Sequence, residues 1–157
     1  MFERLEKDAR RAVLLAAKEE AQRRGDRRIG TDHLLLGLLH DPDSVPARTL
    51  GVDLESARAT AAALDRAALA AIGIDPGEPG PSSPVHTRRH APLTSGARAV
   101  LELSLDEARR SRRRRIQAGH LLLALLSRQR PDPAAELLQA LGVDPAATRH
   151  RLTQSAT

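Results

Sequence analysis

Ile29-Gly30-Thr31-Asp32-His33-Leu34-Leu35-Leu36-Gly37-Leu38-Leu39 returns without a gap as Ile116-Gln117-Ala118-Gly119-His120-Leu121-Leu122-Leu123-Ala124-Leu125-Leu126, with histidine in the same slot. The correspondence reaches outward on both sides. Upstream, Glu19-Glu20-Ala21 answers Asp106-Glu107-Ala108 at the same offset, and downstream Leu50-Gly51-Val52-Asp53 answers Leu141-Gly142-Val143-Asp144 after a small change in length. A unit repeated at this size predicts two copies of one helical module packed against each other. The seam between the copies is the natural place for a binding site.

Composition agrees with helices. Among 157 residues there is one Phe, one Met and no Tyr or Trp, so the core has to be built from Leu, Ala, Val and Ile. Close-packed helices accept that set more readily than strands, which favour aromatic and β-branched residues. There is no cysteine, which excludes disulfides and thiolate chemistry. No apolar run is long enough for a signal-peptide core or a membrane span, and a soluble, cytoplasmic protein is the expectation. The net charge is +5, carried almost wholly by arginine, since Lys7 and Lys18 are the only lysines.

Four helices per repeat fit the pattern. The first is expected from about Glu3 to Arg24, with Leu5, Ala9, Val13, Ala16 and Ala17 on one stripe, closed by Gly25-Asp26. Thr31 is the expected cap of a second, apolar helix that ends near Asp41-Pro42. A short third helix follows from Ser44 to Leu50, and Asp53 caps a fourth that reaches about Ile72. Between Gly73 and Pro92 the chain turns to Gly, Pro and Ser, the signature of a linker. The second repeat opens with Thr94 as a cap, runs to about Ser111, and continues with the buried helix from Ala118 to Ser127. Asp132-Pro133 and Asp144-Pro145 each read as an N-cap followed by proline in the first turn. The domain plan is therefore residues 1–72, a linker over 73–92, and residues 93–157. The first repeat is shorter by about one turn before Gly51, so its third helix should be clipped.

Phe2-Glu3-Arg4, Glu19-Glu20-Ala21 and the Ile29–Leu39 segment resemble the N-terminal domain of Clp (Hsp100) unfoldases, the ClpC type in particular. Pro92-Leu93-Thr94, the Val100–Leu105 segment and His120-Leu121-Leu122 resemble that domain's second repeat. The resemblance implies an all-α, pseudo-twofold bundle of about eight helices that recruits substrates and adaptors to an ATP-driven ring. No G-x-x-x-x-G-K-[ST] phosphate loop occurs in the sequence, so this chain is expected to act as the recognition domain without the ATPase and without a cofactor.

The same resemblance implies two kinds of site. One takes phosphoarginine, with the acid before the histidine accepting the guanidinium. That acid is Asp32 in the first repeat, one methylene shorter than the family's Glu, and it is replaced by Gly119 in the second. The helping hydroxyl is kept as Thr94 and has no counterpart near Glu6-Lys7. Each repeat is thus expected to keep half a site. Asp32 also suits a first helical turn through the dipole alone. The other site is an apolar groove for peptides, including cyclic peptide antibiotics, at Phe2, His90, Leu93, Leu101, Glu102 and Leu105. Its alternative reading is a sealed repeat interface.

His33 and His120 lie at equivalent places with no second ligand at metal spacing, so they are read as structural and no metal is expected. His86 and His90 lack a nearby carboxylate in the sequence. There is no G-x-S-x-G and no acid–base–nucleophile constellation, which points away from an enzyme. The run Arg109, Arg110 and Arg112 to Arg115 could grip nucleic acid or an acidic surface, but it also suits a solvated helix C-terminus. The function expected is a non-enzymatic recognition module that acts as an adaptor, a competitor of the unfoldase or an antibiotic sponge. A basic nucleic-acid-associated protein and a degenerate domain without ligand are the alternatives.

Overall fold

The computed structural model describes residues 2–75 and 91–155, and most of the expected linker and His90 lie outside them. The first helix, α1, is one succession of three segments, Lys7–Arg11, a π-helical turn Ala12–Ala16, and Ala17–Arg23. The others are α2 Thr31–Leu38, α3 Val45–Leu50, α4 Leu54–Ala71, α5 Ser95–Arg110, α6 Ala118–Leu126, α7 Pro133–Ala140 and α8 Pro145–Ser155. The fold is all-α, as expected, with eight helices among the described residues.

Two details of the sequence reading are corrected. The first helix does not start at Glu3. Phe2–Arg4 form a 3₁₀ turn, and Leu5 is drawn into an isolated bridge with Ile116, through Glu6 N–H to the Ile116 carbonyl at 2.8 Å and Ile116 N–H to the Arg4 carbonyl at 2.7 Å. Extended backbone at residue 5 cannot also be helical, so α1 begins at Lys7. Thr31, in turn, does not cap its own helix. Gly30 holds the N-cap position in extended conformation, and the His33 ring supplies the side-chain acceptor for its N–H.

The other expected caps follow the sequence, and Ser44, expected within its helix, is the cap of α3. Ser44, Asp53 and Thr94 each accept from the backbone N–H three residues on. The carboxylates of Asp132 and Asp144 receive the first-turn N–H groups of α7 and α8 behind their prolines. The third helix of the first repeat is six residues long against eight in the second.

The π turn has a sequence cause. The interval between buried Ala9 and Ala21 is one residue longer than that between buried Ala97 and Ala108. One added residue would rotate the apolar stripe by about 100° if the helix stayed α-helical. A π turn absorbs it and keeps both alanines inward. The extra residue emerges on the surface, where Leu14 and Leu15 are exposed.

The repeats pack as an exchanged pair. The leucine-rich helices α2 and α6 touch at the centre, with Leu35, Leu36, Leu121, Leu122 and Leu125 fully buried. Across the seam α2 packs on α5 and α7, while α6 packs on α1 and α3, each contact answering its symmetry mate. A second bridge, Ile29 with Leu93, matches Leu5 with Ile116. Each repeat's opening residue thus pairs with the other repeat's segment ahead of its buried helix.

Candidate functional site

The Ile29–Leu93 bridge brings the candidate site residues together. Ile29 N–H donates to the Pro92 carbonyl and Thr94 N–H to the Ile29 carbonyl, both at 2.9 Å. This sets the first turn of α5 beside the first turn of α2. A point one bond out from the Gly30 Cα lies 2.8 Å from Asp32 Oδ1 and 3.9 Å from Thr94 Cγ2. Asp32 and Thr94, expected in separate half-sites, therefore both approach one spot, Thr94 through its methyl. The equivalent position across the pseudo-twofold has Glu6 in place of the hydroxyl and Gly119 in place of the acid. Glu6 there accepts from Gln117 Nε2 at 3.2 Å.

Asp32 is not alone. Arg24, at the C-terminal end of α1, places Nη1 2.5 Å from Asp32 Oδ2 and Nη2 2.7 Å from Asp65 Oδ2 on α4. Its Nε lies 3.6 Å from Asp26 Oδ2 and is buried without a hydrogen-bond partner. Burial alone would lower the Arg24 pKa, but Asp32 and Asp65 outweigh it and the value is raised. A cleft of about 250 Å³ opens here between α4 and α7, lined by Arg24, Asp32, Leu64, Asp65, Pro133 and Leu137 among others.

Thr31, beside Asp32, works across the seam. Its hydroxyl donates to Asp132 Oδ1 at 2.8 Å and accepts the Ala134 N–H at 3.1 Å, so it joins the cap of α7. Asp132 is also held by Arg128 Nε at 3.1 Å. The acid site thus rests on a buried polar hinge between the repeats.

His33 Nδ1 accepts the Gly30 N–H at 2.8 Å, and its Nε2 lies 2.8 Å from Asp26 Oδ2. That pairing fixes the tautomer, with the proton on Nε2 directed at the carboxylate. Burial pushes the Asp26 carboxyl up, yet the His33 hydrogen bond and the Arg24 charge hold it below its ordinary value. His120 repeats the first contact, accepting Gln117 N–H at 3.0 Å, and burial lowers its pKa. Among the described residues no three His, Asp or Glu side chains are grouped to hold a metal ion.

The groove residues differ in exposure. Phe2 is 40% exposed and Glu102 is exposed, while Leu93 and Leu105 are half-buried against the core. Leu101 is 2% exposed and belongs to the core itself. Arg112 to Arg115 are exposed in the loop after α5.

Two functional-looking contacts were not singled out from sequence. Glu20, 1% exposed, is gripped by Arg58 Nε at 3.0 Å and Nη2 at 2.5 Å and by His40 Nε2 at 2.7 Å. Burial pushes its carboxyl up, but the hydrogen bonds from Arg58 and His40 win and hold it below the ordinary value. Glu107 and Arg149 repeat the pair at 3.2 Å. The signal was present, since Arg58 and Arg149 follow the capping Asp53 and Asp144 at one spacing. Arg24 gave less warning, as one of two adjacent arginines ahead of a turn.

The family profile of the Clp repeat (R) N-terminal domain matches residues 7–91 and again 92–157. The chain belongs to this family of Clp N-terminal repeat domains. Among curated relatives, the chloroplastic chaperone protein ClpC1 of Oryza sativa subsp. japonica is 34% identical over 148 residues, covering 92% of this chain and 14% of that protein. The chloroplastic ClpA homolog of Brassica napus, an ATP-dependent Clp protease ATP-binding subunit, is 34% identical over 152 residues, covering 95% of this chain and 15% of its own length. The chain thus spans about one seventh of these relatives. The crystal structure of the N-terminal domain of the chaperone ClpD from Arabidopsis thaliana shares the fold at a TM-score of 0.74 and 21% identity, covering 99% of this chain and 96% of that one. Among the described residues no helix is long and apolar enough to cross a membrane.

Proposed function

We propose that this chain is a non-enzymatic recognition module for substrates or adaptors of a Clp unfoldase, and that Asp32 and Thr94 together take a guanidinium-bearing group, phosphoarginine in a marked protein. The supporting observation is that Asp32 Oδ1 and the Thr94 side chain, through its methyl Cγ2, both lie within 4 Å of a single spot beside Gly30. A carboxylate meets the planar guanidinium fork. Thr94 Oγ1 accepts the Ala97 N–H at 3.1 Å, a bond that leaves its own hydrogen free to donate to a phosphoryl oxygen. The seam supplies one such site per chain.

The test is fluorescence polarisation with a short peptide carrying phosphoarginine, against the same peptide carrying arginine. Saturable binding of the first alone, lost in both Asp32→Ala and Thr94→Val, is the expected result. Binding unaffected by either substitution would remove the site from the account.

An apolar ligand at the N-terminal end is favoured by one observation, the exposure of the chain's single aromatic, Phe2. Phe2→Ala is then expected to leave the melting temperature unchanged and to weaken a cyclic peptide measured by calorimetry. A large fall in melting temperature would place Phe2 in the packing instead.

A further inference from the structure

We propose that Arg24 is an internal competitor for Asp32: the chain's own guanidinium occupies the acid of the recognition site, and a ligand has to displace it. This rests on the guanidinium reading of Asp32 and Thr94 given above. Arg24 already holds one of the two oxygens that an incoming guanidinium fork would meet, with Nη1 2.5 Å from Asp32 Oδ2. With Oδ2 taken by Arg24, an incoming guanidinium cannot meet both oxygens of the carboxylate at once.

Three observations mark the contact as displaceable and specific to this site. Its second anchor, Asp65, is 54% exposed and so is screened by solvent. Its Nε is buried with no acceptor, so the seated state carries an unsatisfied donor that the released state would hydrate. The corresponding residue of the second repeat is Ser111, set beside Gly119 in place of the acid. The arginine is present only in the repeat that has the carboxylate.

The cleft between α4 and α7 gives the arrangement room to work. Leu64, Ala68 and Leu137 line it next to Arg24 and Asp65, an apolar wall suited to the aliphatic stem of an arginine, whether the protein's own or a ligand's. The apparent affinity of the site is then its intrinsic affinity reduced by the fraction of molecules in which Asp32 is free. A substitution that removes Arg24 raises affinity without adding a contact.

The experiment is a calorimetric titration of free phosphoarginine into the full chain and three variants: Arg24→Met, Asp65→Asn, and Arg24→Met combined with Asp32→Asn. Arg24→Met is expected to tighten binding by about tenfold or more. Asp65→Asn, which only loosens the latch, should tighten it about two- to fivefold. The double variant should lose binding. Asp65 is exposed, so its variant keeps the inference testable if Arg24→Met folds poorly. Equal affinity in the wild type and both single variants would overturn the competitor and leave the site reading standing. Absence of binding in the wild type and in both single variants would overturn the site reading, and the competitor with it.

Discussion

A Cβ added at Gly37 would stand 2.6 Å from the Ala12 carbonyl oxygen and 3.0 Å from the Ala17 backbone nitrogen. Here α2 meets the π turn of α1 backbone to backbone, and no flexible side chain can yield. Gly37→Ala is therefore expected to destabilise the fold by about 1–3 kcal/mol, read from denaturant unfolding, although the second repeat carries Ala124 at the equivalent place. Gly119 is the opposite case, with open space around its missing Cβ in the first turn of α6. Gly119→Asp is expected to stabilise by about 1 kcal/mol through helix propensity and the dipole. An unchanged or lower stability in the same assay would count against the open surroundings of that position. The acid it restores has no hydroxyl opposite it, because Glu6 stands where Thr94 stands in the other half.

The two repeats end their first helices alike, but with unlike residues. After α1 the left-handed position is Gly25, at φ 73°, and after α5 it is Arg112, at φ 56°. Both turns close with the same six-to-one bond, Asp26 N–H to the Ala21 carbonyl and Arg113 N–H to the Ala108 carbonyl. An L-residue with a Cβ costs about 1–2 kcal/mol there. Arg112→Gly is expected to recover about 1 kcal/mol, raising the melting temperature by about 2–4 °C. No gain on scanning calorimetry would show that the Arg112 side chain makes up the cost. At this scale the sequence was most readable, because caps and stops are local. Asp53, Thr94, Asp132 and Asp144 act where their residue types and spacing placed them. The start of α1 was misread because a strand-like bridge to Ile116 is not local, and Thr31 because its hydroxyl serves α7.

Across the whole molecule, the contacts that define the site join residues far apart in sequence. Repeat-by-repeat reading could align Asp32 with Gly119 and Thr94 with the Glu6 region. It could not show that the bridge of Ile29 with Leu93 brings Asp32 and Thr94 to one spot beside Gly30. Nor could a run of arginines show that Arg24 turns inward. Electrostatics tie these contacts to pH. The Glu20 and Asp26 carboxyls are held below their ordinary values of 4.5 and 3.8 in the folded state. Their contribution is complete above those values and is lost as pH falls through the folded ones. His120, lowered from 6.5 by burial, favours its neutral form when folded, so its contribution begins to decline once pH drops below 6.5. Melting temperature is thus expected to fall gently below pH 6.5 and steeply below pH 4.5. Glu20→Gln should remove part of the lower step and cost about 1–3 kcal/mol at neutral pH by weakening the buried contacts with Arg58 and His40. A melting temperature flat from neutral pH to below the Glu20 value would contradict this.

The central claim is that the two repeats share one recognition site across their seam. Its most direct test is a titration of the ¹⁵N-labelled chain with phosphoarginine, followed by amide chemical shifts, which also reads weak binding. Shifts gathered at Gly30, Asp32, Thr94 and Gly96, and abolished by Asp32→Ala, are the expected result. Shifts gathered instead at Glu6 and Gly119, or none anywhere, would contradict it.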